Sequence, residues 1–145
     1  MFAAMKNAAT VQPIAFTHEA EACAAVLMAC LRANELGDFV ENATFHTAIR
    51  SRNIFKGHDP ATLVAAAERY YEQVGNPTAL IDAAAGSIRE QTRVPLFLQC
   101  IDVIFADGLV TPLEHRVIQY LTRKLGVDSD LASKALEVLL AKNQL

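Results

Sequence analysis

From residue 17 onward, apolar positions return every three or four residues, and no stretch shows the two-residue alternation of a half-buried strand. The pattern predicts seven helices. Thr17 reads as the N-cap of the first, with Glu19 and Glu21 in the favourable first turn. Cys23, Val26, Leu27, Cys30 and Leu31 mark one face of that helix, up to about Asn34. A turn from Glu35 to Glu41 holds Gly37. A second helix then runs from Asn42 to Phe55 on Phe45, Ile49 and Ile54, and Lys56-Gly57-His58 ends it.

Asp59-Pro60 opens the third helix, the aspartate as N-cap and the proline at the first helical position. Leu63, Val64, Ala67, Tyr70, Tyr71 and Val74 follow, and Gly75 stops it. Asn76-Pro77 repeats the start signal for a fourth helix, Thr78 to Gln91, which uses Leu80, Ile81, Ala84 and Ile88. The fifth begins near Pro95 and buries Leu96, Phe97, Cys100, Ile101, Ile104 and Phe105. The sixth runs from Thr111 to Leu125, before Gly126. The seventh, capped by Asp128 or Ser129, uses Leu131, Ala135, Leu136, Leu139 and Leu140. Short connections and the absence of a low-complexity linker predict an all-α, seven-helix single domain over 17–145, behind a loosely structured lead-in at 1–16.

Composition agrees. At 145 residues the chain is long enough to bury a real core, and 52% of it is hydrophobic. Much of that content is alanine, as in Ala65-Ala66-Ala67 and Ala83-Ala84-Ala85, which favours helix and permits close helix approach. A net charge of −3 offers no general attraction to nucleic acid or anionic membranes. Cys23, Cys30 and Cys100 form no CxxC pair and sit among apolar neighbours. Buried, reduced thiols are expected, which suits a cytoplasmic setting. The first residues lack a basic segment followed by an unbroken apolar run, and no apolar run reaches membrane-spanning length.

Helices one to three resemble helices five to seven. A shift of 70 lays Leu27 on Phe97 and Cys30 on Cys100. A competing shift of 73 lays Asn34 on Asp107 and Glu41 on Glu114. Both registers fit the residues.

Candidate chemistry concentrates at Asp107 and Glu114, seven residues apart around one tight bend. Carboxylate oxygens suit hard cations such as calcium or magnesium better than zinc. The bend is not an EF-hand, because the alternate positions before its glycine are Val103 and Phe105. The same residues also spell a capping box. Thr111 would cap the sixth helix while Glu114 accepts the backbone N–H of Thr111, and Pro112 stands at the first helical position.

The run Ala106-Asp107-Gly108, then Leu109 to Glu114, then Leu125-Gly126, resembles the TerB family of tellurite-resistance-associated proteins. The resemblance implies a duplicated seven-helix domain, a fold shared with the N-terminal domain of the co-chaperone DjlA. It also implies an acidic signature in each half, linked to metal binding. The second half matches at Asp107, Gly108 and Glu114. The first half departs, reading Ala33-Asn34-Glu35-Leu36-Gly37-Asp38, where Glu35, Asp38 and Glu41 are the substitutes. On this basis Asp107, Glu114, Asp38 and Glu41 are the expected cation contacts. The expected role is a non-enzymatic interaction or scaffold module of a stress-response system, with protein partners. The alternatives are a helical adaptor with no metal, whose acidic turn is purely structural, and a metal-dependent hydrolase.

Nothing else gathers into a site. His18, His46, His58 and His115 share no ligand spacing, and no serine or cysteine has a readable base beside it. Arg50, Arg52 and Lys56 suit the negative end of the second helix. Phe2, Met5, Val11, Ile14 and Phe16 fit either an extra packed segment or a partner-binding arm, the place for a homodimer contact.

Overall fold

Helix α1 (Glu19–Arg32) is the axis of the molecule. Ala20, Ala22, Ala24, Ala25 and Ala29 all lie at or below 3% exposure, and Cys23, Val26, Leu27 and Cys30 are fully buried. A helix buried on every side must be thin, and alanine supplies that: a larger side chain at Ala24 or Ala25 would overpack, costing about 1–3 kcal/mol. The other helices wrap it in chain order: α2 (Phe39–Ser51), α3 (Pro60–Val74), α4 (Pro77–Ala85), α5 (Glu90–Ile104), α6 (Pro112–Lys124) and α7 (Ser129–Lys142). A single 3-10 turn, Asn53–Phe55, follows α2. This computed structural model describes residues 14–34 and 39–145. Among them there are seven α-helices and no strand. Helices α2, α3, α4 and α5 all pack directly on α1, while α6 reaches the core through α4 and α5, and α7 through α5.

Most predicted boundaries hold because their caps form. Asp59, Asn76 and Asp128 each accept backbone N–H bonds at the starts of α3, α4 and α7. Gly75 ends α3 in the left-handed region at φ +88. Four expectations needed correction. His18, not Thr17, caps α1: its Nδ1 accepts the Glu21 N–H at 3.3 Å, while Thr17 donates its own N–H to Glu21 Oε1. Helix α2 starts at Phe39 and ends at Ser51, because Arg52 takes an extended conformation before the 3-10 turn. Helix α4 ends at Ala85, six residues early. Helix α5 then begins at Glu90, so Pro95 lies inside it. Pro95 sits near the start of that helix, where only one backbone bond is forfeited.

All three cysteines are buried and free. Burial pushes the Cys23 thiol up to about 12, and Cys100 rises for the same reason with a bond to Cys30 added. Tyr70 donates its hydroxyl to Glu21 Oε1 at 2.7 Å, and the Arg32 guanidinium lies over the Tyr71 ring. Ile14 and Phe16 pack on the core. Phe2, Met5 and Val11 lie outside the described residues, as does most of the lead-in.

Candidate functional site

The second-half acidic turn is built by two successive termini. Helix α5 ends at Ile104, and Gly108 donates its N–H to Phe105 O at 2.8 Å. Gly108 adopts φ +77, which a side chain resists. An added Cβ would also stand 3.1 Å from Asn143 O, where the end of the chain closes over the turn. Asp107 Oδ1 accepts the Leu109 N–H at 3.0 Å, a side-chain turn that holds the bend. Thr111 then caps α6, and the expected capping box is complete. Thr111 Oγ1 accepts the Glu114 N–H at 3.1 Å, and Glu114 Oε1 accepts the Thr111 N–H at 2.9 Å.

Glu114 is thereby fixed as the third residue of α6, and it is fully buried. Glu41 is the third residue of α2 and is also fully buried. They are the two buried charged residues among those described. Asn34, at the end of α1, donates its amide to Glu41 Oε2 at 3.2 Å. The carboxyls of Glu41 and Glu114 lie near enough to share a proton. Two helix starts thus aim their third residues at one point. The register that relates them is 73, the one that also sets Asn34 against Asp107.

Burial pushes the Glu114 carboxyl above its ordinary range. The N–H and hydroxyl of Thr111 pull it back, the charge of Asp107 raises it again, and the Glu41 carboxyl lowers it. Glu114 Oε2 is shut from solvent and takes no hydrogen bond of good geometry. No lysine or arginine among the described residues forms an ion pair with Glu114. A buried carboxylate without a countercharge is expensive, so Glu114 has two ways to settle: hold a proton, or hold a cation.

Of the four expected contacts, Glu41 and Glu114 come together, with Asp107 half-buried beside them and felt by Glu114 through its charge. Asp38 lies outside the described residues, as does Glu35. Among the described residues no group of three or more His, Cys, Asp or Glu side chains is arranged to hold a metal ion. Asn34 was missed as a site residue, although the register of 73 had laid it on Asp107. The rings of His18 and His58 stack at 4.3 Å, a pairing that no spacing in the chain signals.

No helix among the described residues is long and apolar enough to cross a membrane. A family model described as tellurite resistance protein TerB matches residues 20–136. No curated protein and no solved structure matches the chain.

Proposed function

The chain belongs to the TerB family of tellurite resistance proteins, and from that premise we propose that it is a non-enzymatic module that carries a hard divalent cation between Glu41 and Glu114. The observation that supports this is the division of labour at Glu114. One oxygen is spent on the Thr111 cap, the other is buried without a hydrogen-bond partner, and the Glu41 carboxyl acts on the same side chain. Capping and cation binding therefore use different atoms of the same residue.

The donor set is all oxygen, which suits magnesium or calcium rather than zinc. Magnesium is commonly held by one or two carboxylates and keeps several of its waters, so two glutamates suffice for it; calcium asks for six to eight oxygens. Glu41 and Glu114 would hold the ion, with Asp107 adding negative charge near it. When bound, the cation would supply a countercharge to Glu114 and tie the start of α2 to the start of α6. In this reading the ion is structural: it fixes the helix arrangement that a protein partner recognises in the cytoplasm. A partner-binding adaptor without metal is the second reading, and the completeness of the Thr111–Glu114 capping box favours it.

Melting after exhaustive chelation, with magnesium, calcium, manganese and zinc restored singly, separates the two. An ion at about 100 times its dissociation constant stabilises by roughly 2.7 kcal/mol. We expect a rise with magnesium or calcium that Glu114→Gln abolishes. No rise with any ion would leave the adaptor.

A further inference from the structure

A cavity of about 780 Å³ lies between α1, the 3-10 turn, α5 and α7. Its floor is Cys23 and Leu27 of the central helix, and its walls are largely apolar. On α7 the lining positions 131, 134, 135, 138, 139 and 142 follow one helical face for about 16 Å. Val138 is 64% exposed on that face, so the cavity is reached from solvent.

Its charges run against those of the whole chain. Arg52, Lys134, Lys142 and Asp102 line it, three cations to one carboxylate, in a protein of net charge −3. Lys142 pairs with Asp102 at 3.1 Å. Arg52 Nε is bonded to the neutral Gln99 Oε1. Among the described residues neither Arg52 nor Lys134 pairs with a carboxylate. An apolar chamber carrying two uncompensated cations calls for a ligand with an apolar body and one anionic end.

We propose that this cavity binds a small anionic amphiphile, a single acyl chain ending in a carboxylate, with its tail over Cys23 and Leu27 and its head between Arg52 and Lys134. The volume selects a single chain. Small-molecule sites span roughly 300–1,000 Å³, whereas three turns of helix, about 10 Å across, would occupy on the order of 1,300 Å³. The proposal is independent of the cation reading, since it uses none of the acidic-pair residues.

Displacement of the fluorescent anion 1-anilinonaphthalene-8-sulfonate from the full chain tests it, using saturated carboxylates of increasing length below their micelle concentrations. Each added CH₂ should tighten binding by about three- to fourfold until the cavity is filled. A carboxylate should bind about tenfold more tightly than the amine of equal length. Arg52→Gln with Lys134→Gln should remove that preference and leave the alcohol of equal length unchanged. Both cations are exposed, so the variants should fold, which the melting temperature verifies. Val138→Asn, which adds polarity without charge, should weaken carboxylate and alcohol alike. Equal binding of carboxylate and amine, or no displacement by any of them, would overturn the proposal. So would binding of an acidic amphipathic helical peptide where every carboxylate fails, because the cavity would then be a protein-docking surface.

Discussion

Helices α2 and α6 are both thirteen residues long, and each brings a buried glutamate as its third residue to the same point. They differ seven residues upstream. The first half offers Asn34, whose amide donates to Glu41, and the second offers Asp107, whose charge bears on Glu114. A capping box fixes where the Glu114 carboxyl stands, and the residue seven positions upstream bears on each carboxyl. An amide gives a carboxylate a proton donor at no charge, while an aspartate adds a second negative charge and raises its neighbour's hold on a proton or a cation. The two halves therefore share a buried glutamate at the third position of a helix and differ in the charge of the residue seven positions before it.

Making them alike should have the largest effect. Asn34→Asp removes a bond to a buried carboxyl and puts a like charge in its place. Hydrogen bonds to charged groups contribute about 1.5–3 kcal/mol, so we expect chelated protein at neutral pH to lose roughly 2 kcal/mol, about 6 °C in melting temperature. Saturating cation should recover most of that loss, because the added charge favours the ion. An unchanged melting temperature in chelator would mean that Asn34 does not set the state of Glu41.

The acidic end of the second half was legible because its signals are local. Thr111, Pro112 and Glu114 lie within four residues, and a capping box needs nothing else. The cavity and the meeting of Glu41 with Glu114 were not legible, since both depend on how distant helices pack. Between the two lies Asn34: the register that found it was in view, but a shift of 70 matched as many apolar positions. Alanine-rich helices align in several registers, and only the buried carboxyls break the tie. The boundary errors have a similar cause. Periodicity continues through Ser87 and Ile88, where Ile88 is buried although it belongs to a turn, so the end of α4 is invisible to it. Pro95 signalled a start that Glu90 had already made.

Two substitutions at the second half should act in opposite directions. Thr111→Ala deletes the N-cap and should cost about 1 kcal/mol. Glu114→Gln keeps an oxygen for the Thr111 N–H, since glutamine also completes a capping box, and removes a buried charge. Burial holds the Glu114 carboxyl above its ordinary range, so in chelator at neutral pH the neutral amide should raise the melting temperature. Destabilisation by both would mean that Glu114 matters only as a cap.

The smallest effect is the dependence on pH, and its sign is the test. A carboxyl raised in the folded state binds its proton more tightly there than in the unfolded chain. Its contribution is fully present below the unfolded value, near 4.5, and is lost as pH rises through the higher folded value. Chelated protein should therefore gain stability as pH falls from neutral toward 5. Glu19 and Glu21 oppose this only at lower pH. Burial raises both, but the bonds from Arg89 and Thr92 to Glu19, and from Tyr70 and Thr17 to Glu21, outweigh it and leave them below their ordinary value. Their stabilisation is present above that value and is lost as pH falls through the depressed folded one. The expected curve has a maximum on the acid side of neutrality. Saturating cation should flatten or reverse its neutral limb, since protons and the ion compete for the same oxygens. Glu114→Gln should remove that limb in chelator and leave the acid limb in place; a variant that keeps both would assign the rise to another group.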